Sequence, residues 1–339
     1  MRDVGILGTG LIGASIGLGL RAVGMHVTGW DPDKASASAA AHRGALDIVA
    51  SSESDVVSAA SDLLVLAASP SVIVDLVARL DHAGLVIDVA GVKAPILAAS
   101  TLRRFVGTHP MAGREVSGPG AASPALFKGA AWVVTTDGAA PADLDAVCDL
   151  VSMFGARPIT MSAAEHDTAV ATISHVPQLL AAGLVATATG SERALDLAAG
   201  SFRDLTRVAA SDPALWVDVL QTNKRAVSAA LDGMTARIEE LRVLLDGDGG
   251  DLSSFLSDAR TVRRAMTADV ATVHIALADQ PGELAKVGRA LQTSAVDVRD
   301  IQLRHAPHGG GGVLTLSVRP GDGETLQHAL VAEGLLLAD

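Results

Sequence analysis

Over the first 110 positions, apolar residues fall in short runs bounded by glycine or turn residues, with amphipathic stretches between them. "VGILG" from Val4, "HVTGWD" from His26, "DLLVLAAS" from Asp62 and "GLVIDVAG" from Gly84 read as strands buried on both faces. "LIGASIGLGLRAVG", "PDKASASAAAHRG" and "PSVIVDLVARL" have helical spacing, with Pro32 placed to open the second helix and Gly44 to close it. This alternation predicts an α/β fold, a doubly wound parallel sheet of the Rossmann kind over residues 1–155.

After Gly155 the alternation gives way to helix upon helix, broken at Pro177 and at the "DGDGGD" loop. Residues 156–268 read as an all-helical domain whose apolar stripes call for a second copy, which predicts a homodimer. From residue 270 the pattern changes to strand, helix, two strands around a glycine-rich turn, helix and short strand. That is the ferredoxin-like βαββαβ order, over residues 270–339.

Composition narrows the function. The 339-residue chain is 49% hydrophobic but only 2% aromatic, so its core is built from small and β-branched aliphatics. A net charge of −12 disfavours nucleic acid and anionic lipid as partners. The single cysteine, Cys148, rules out an internal disulfide framework and fits a reducing cytoplasm; its helical apolar context reads as a buried small side chain. The apolar N-terminus superficially suggests a signal peptide, but regular glycines and Asp3 argue against one. No uninterrupted run of about 18 apolar residues predicts a membrane span. The ten histidines show no metal-ligand spacing, so no metal is expected.

Gly8-Thr9-Gly10-Leu11-Ile12-Gly13 follows one strand and opens a helix, and Asp31 ends the next strand. That context makes G-x-G-x-x-G a dinucleotide fingerprint. Gly8 allows the turn, Gly10 lets pyrophosphate approach the helix N-terminus, and Gly13 lets helix and strand close up. Asp31 would accept hydrogen bonds from the adenosine ribose and repel a 2′-phosphate, which favours NAD over NADP; Asp31 as a helix N-cap is the structural alternative. Ser69, the last residue of the "DLLVLAAS" run, is assigned to the same cofactor.

"ILGTGLIGASIGLGL", "GTHPMAGREVSG" from Gly107, "EHD…ISHVPQ" and "GSFRDLTRVA" from Gly200 together resemble the prephenate dehydrogenase family, and the tail with "DQPGEL" from Asp279 resembles an ACT domain. The resemblance covers nearly the whole chain. It implies NAD-dependent oxidative decarboxylation of prephenate to 4-hydroxyphenylpyruvate in tyrosine synthesis. The reaction needs a base at the ring hydroxyl, because aromatisation supplies the driving force. A neutral imidazole suits that task. His109, at the carboxyl edge of the sheet, is the catalytic histidine that the resemblance implies. The substrate is a dianion, and Arg207 is placed to clamp a carboxylate, with Asp204 on the same helix face to orient it. The resemblance also implies that Gly200, His175, Gln178, Glu115 and Trp216 line the substrate site, with Trp216 reaching it from the partner subunit. Lys93 reads either as a binding residue or as a surface lysine.

Two positions depart from the family pattern. Gln178 stands where a second histidine is frequent, and Gly91 where a serine is. A less cationic pocket keeps arogenate open as an alternative substrate. A non-catalytic NAD and amino-acid sensor is the reading from another class. Asn223-Lys224 has the wrong order for the lysine and asparagine of β-hydroxyacid dehydrogenases. Asp279 and Gly282, in the turn after the first strand of the tail, are the candidate tyrosine-effector residues; Asp279 as a helix cap is the alternative.

Overall fold

The computed structural model describes residues 2–113, 118–190, 193–266, 270–305 and 311–338. It divides into two compact units, Met1–Ile238 and Glu239–Asp339.

The first unit begins with β1 (Asp3–Leu7), α1 (Leu11–Ala22), β2 (His26–Trp30), α2 (Lys34–His42), β3 (Ile48–Val49), α3 (Glu53–Ala59) and β4 (Leu63–Leu66). It continues through α4 (Pro70–Arg79), β5 (Leu85–Asp88), α5 (Ala94–Ala99), β6 (Phe105–Pro110), β7 (Ala131–Thr135), α6 (Pro141–Met153) and β8 (Arg157–Met161). The sheet order is β3-β2-β1-β4-β5-β6-β7-β8. The winding direction switches between β1 and β4, where the carboxyl ends of the strands open a crevice. Along β4, Leu63 and Val65 enter the core on one face while Leu64 and Leu66 enter the core on the other. This is why the strand is an unbroken apolar run.

Two features depart from the sequence reading. The sheet is not parallel throughout, because β7 pairs antiparallel with β6. A parallel return needs a crossover helix, and the described residues between the two strands hold only a 3₁₀ turn, Pro119–Ala121. The sheet also runs past Gly155, since β8 pairs with β7 beyond it. A large share of the chain's few aromatic residues gathers on this side. Trp132 lies 4.8 Å from Phe127 and 5.6 Å from Phe154, ring centre to ring centre, and its indole N–H donates to Thr108 Oγ1 at 3.0 Å. That cluster fixes β6 immediately before His109.

The helical part of the first unit comprises α7 (Ala163–Val170), a π turn (Ala171–His175), α8 (Val176–Thr189), α9 (Gly200–Thr206), α10 (Pro213–Thr222) and α11 (Lys224–Leu245), the last of which passes into the second unit. Pro177 does not break the run. It sits in the first turn of α8, directly after the π turn, where a missing N–H costs little. Ala163–Thr189 is therefore one 27-residue rod, long and apolar enough by composition alone to cross a bilayer. It carries His166, Asp167 and His175 buried within the fold. No side chain of α9 or α10 is buried within the single chain, and Leu197, Leu205 and Val217 are exposed.

The second unit holds the end of α11, α12 (Gly250–Met266), β9 (Ala271–Leu277), α13 (Glu283–Ser294), β10 (Val298–His305), β11 (Gly312–Val318), α14 (Gly323–Ala332) and β12 (Leu336–Leu337). Its sheet has the order β10-β11-β9-β12, with every neighbour antiparallel, as the ferredoxin-like order requires. Val273, Ile275, Leu314, Leu316, Leu326 and Leu330 form a core of its own.

Candidate active site

The cofactor crevice is built at the β1–α1 turn. Gly8 adopts φ +95°, and a Cβ there would come within 2.2 Å of the Ala67 carbonyl oxygen. Gly10 caps α1 with nothing within 4 Å of where its Cβ would be, so the first turn of the helix is bare toward an anion. Asp31, at the end of β2, accepts from the Thr9 N–H at 2.7 Å and the Thr9 hydroxyl at 3.2 Å through Oδ2, and from the Asp33 N–H through Oδ1. It does not cap α2; Asp33 does, accepting from the Ala35 N–H, so Pro32 is not the helix start. Beside Asp31 opens a cavity of 700 Å³ lined by Trp30, Lys34, Ser38, Ala50 and Ser51. Ser69 is the N-cap residue of α4, just past the carboxyl end of β4. A bare glycine at a helix N-terminus and a carboxylate beside a roomy hollow fit NAD.

His109 is the penultimate residue of β6 and is partly buried. Its Nδ1 lies 2.8 Å from His166 Nε2, and His166 Nδ1 lies 2.8 Å from Asp167 Oδ1. A Cβ on Gly91 would sit 3.6 Å from both Cε1 and Nε2 of His109. One nitrogen of His109 is therefore engaged inward, and the other faces a position that offers only a hydrogen atom. Burial holds the His109 imidazole well below its usual pKa, and the neighbouring His166, Lys93 and His175 add to the effect. The imidazole is neutral at physiological pH.

Asp167 joins three elements. Its Oδ1 also accepts from the Lys93 N–H at 2.7 Å, its Oδ2 accepts from the Ala94 N–H at 2.8 Å, and its carbonyl oxygen accepts from Asn223 Nδ2 at 3.0 Å. Asn223 Nδ2 also lies 3.2 Å from His175 Nδ1. An amide nitrogen donates, so His175 accepts at Nδ1 and keeps its proton on Nε2. His175 is buried in the π turn, and burial takes its pKa down to about 4, so it acts as a neutral donor. Trp216 stands edge-on to His175 of its own chain, with ring centres 6.1 Å apart.

Lys93 is no surface lysine. Its side chain is fully buried and paired with Asp88. Burial pushes the ammonium pKa down and the carboxyl pKa up, while each charge favours the other. Asp88 also accepts from the N–H groups of Ala90 and Thr108, which supports the ionised pair. Gln178, three residues after His175, is buried, and its Oε1 has no partner. Gly200, Asp204 and Arg207 lie on α9 and the turn after it, exposed, on an element that packs along α8. Glu115 lies outside the described residues.

The sequence reading did not assign roles to His166, Asp167 and Asn223. The "EHD" run carried the signal, but its contact with His109 spans 57 positions of the chain. In the second unit, Asp279 and Gly282 both line a 260 Å³ cavity. Gly282, at φ +97°, is the residue at the N-cap of α13, so the capping reading of Asp279 does not hold.

Known proteins agree with this geometry. Residues 16–160 match the nucleotide-binding domain of prephenate dehydrogenase, and residues 162–257 match its dimerization domain. The chain is 31% identical to a probable prephenate dehydrogenase of Streptomyces niveus, over 97% of this chain and 98% of that protein. It is 29% identical to the prephenate dehydrogenase of Bacillus subtilis, over 95% and 94%. The crystal structure of A. aeolicus prephenate dehydrogenase in complex with hydroxyphenyl propionate and NAD+ superimposes with TM-score 0.72 and 28% identity, over 79% of this chain and 99% of that one. Synechocystis arogenate dehydrogenase superimposes with TM-score 0.67 and 27% identity, over 79% and 100%. The chain belongs to the prephenate dehydrogenase family.

Proposed function

We propose that this protein is an NAD-dependent prephenate dehydrogenase that oxidises prephenate and releases carbon dioxide to give 4-hydroxyphenylpyruvate. The observation that carries the reading is the His109 imidazole, neutral, held at Nδ1, and open at Nε2 across from Gly91. NAD supplies the hydride acceptor. His109 Nε2 takes the proton of the ring hydroxyl as its carbon becomes a carbonyl. Loss of carbon dioxide and aromatisation then need no further protein base. Arg207 would clamp a substrate carboxylate, with Asp204 orienting it, and Gly200, Trp216, His175 and Glu115 would complete the pocket. Gly8 to Gly13, Asp31 and Ser69 would hold NAD.

One observation favours arogenate as a second substrate. The buried Gln178 oxygen has no partner and would accept from an ammonium group, where a cationic side chain would repel it. Exposed apolar side chains on α9 and α10 support a homodimer through the helical region. The regions 1–155, 156–268 and 270–339 are proposed to serve cofactor binding, substrate binding with dimerisation, and regulation by tyrosine at an ACT-like domain around Asp279 and Gly282. A cytoplasmic setting follows from the single cysteine and the soluble cofactor.

The test is steady-state kinetics of the purified protein on prephenate and arogenate with NAD and NADP, beside His109→Ala. Wild-type protein should reduce NAD with prephenate, and His109→Ala should lose at least about a hundredfold in kcat. Unchanged turnover in the variant would remove the base assignment, and inactivity on both substrates would remove the function.

A further inference from the structure

We infer that His166 and Asp167 form a positioning dyad for His109, fixing which of its nitrogens carries the proton and steadying the imidazolium that forms. This rests on the proposed role of His109 as the base. The dyad lies on α7, outside the strand that carries His109, and makes none of the contacts assigned to cofactor or substrate.

With a neutral His166 the hydrogen bonds take one direction. An ionised carboxylate only accepts, so His166 presents Nδ1–H to Asp167. With the ring neutral, His166 Nε2 then holds a lone pair and accepts, so the 2.8 Å contact requires the proton of His109 on Nδ1. The lone pair of His109 is thereby left on Nε2, the atom facing Gly91. The opposite tautomer would put two lone pairs, His109 Nδ1 and His166 Nε2, against each other in a buried contact and block the base with its own proton. When Nε2 takes the hydroxyl proton, the O–H bond breaks, an N–H bond forms, and His109 gains a positive charge. That charge lies one imidazole away from the Asp167 carboxylate.

Asp167 itself is held by the amides of Lys93 and Ala94 and by Asn223. Three donors on the carboxylate, the His166 ring among them, and Asn223 on the backbone carbonyl leave it little freedom to turn. Substituting it would also release the start of α5, so His166 is the residue to vary.

The experiment pairs kinetics with nitrogen NMR of histidine-labelled full-length protein. His166→Phe keeps an aromatic ring and removes both hydrogen bonds. It is expected to lose roughly a hundredfold in kcat, with KM for NAD and for prephenate within about threefold of wild type. His166→Gln, whose amide oxygen accepts from His109 Nδ1–H, should recover to within about tenfold of wild type. The wild-type spectrum, assigned by difference from His109→Ala, should show His109 protonated at Nδ1 and His166 protonated at Nδ1. A wild-type kcat in His166→Phe, or a proton on His109 Nε2 in the free enzyme, would overturn the dyad. If His166→Phe does not fold, the wild-type spectrum decides. Retained activity in His109→Ala overturns the base reading instead, whereas an inactive His109→Ala beside an unaffected His166→Phe overturns the dyad alone.

Discussion

At the scale of single residues, the site depends on two histidines kept neutral by burial. An exposed histidine is half protonated near pH 6.5, but His109 titrates well below that. The expected outcome is a kcat/KM for prephenate that stays flat as pH falls from about 8 to about 6, where an ordinary imidazole base would already have lost more than half of its activity. Stability moves in the same window. Between the unfolded histidine value of about 6.5 and the folded His175 value of about 4, the unfolded chain binds protons that the native one refuses. The fold therefore loses stability as pH drops through that range. Calorimetry should give a lower Tm at pH 5 than at pH 7, and His175→Asn should flatten the slope. His109, His175 and Asp31 stood out in the sequence because each sits in a local run with few other uses. The burial of Lys93 was not legible, since a lysine after a strand is ordinarily solvated, and only the sheet's closure around Asp88 reverses that.

At the scale of elements, the Lys93–Asp88 pair holds the loop between β5 and α5, which carries Gly91 opposite His109. Removing one partner leaves a buried charge alone. Lys93→Met is expected to destabilise the protein by about 3–5 kcal/mol in urea unfolding, and adding Asp88→Asn should return part of that. Strands β1, β2, β4 and β5 and helices α1, α2 and α4 could be read from apolar runs bounded by turn residues, whereas β3, two exposed residues long, could not. Strands β7 and β8 were missed. "AWVVT" and "RPITM" are short and follow a connection without a crossover helix, so the alternation that reveals parallel units is absent there. The π turn was equally hidden: Pro177 signals a break, and the extra residue that absorbs it is a matter of backbone geometry.

At the scale of the whole molecule, the second unit has its own core and its own cavity, lined by Asp279 and Gly282. Tyrosine added to the intact protein is expected to lower the rate on prephenate, and Asp279→Ala should abolish that inhibition while leaving the uninhibited rate within about twofold. Activity unaffected by tyrosine in the wild type would remove the effector role. In the first unit, Asp167 stitches the rod Ala163–Thr189 to the loop before α5, and the same rod supplies His166 to His109. Turnover consequently exists only while that rod stays seated. Under gentle warming or dilute urea, catalysis should fade ahead of any change in far-ultraviolet circular dichroism, making the enzyme's own rate the more sensitive gauge of its partial undocking.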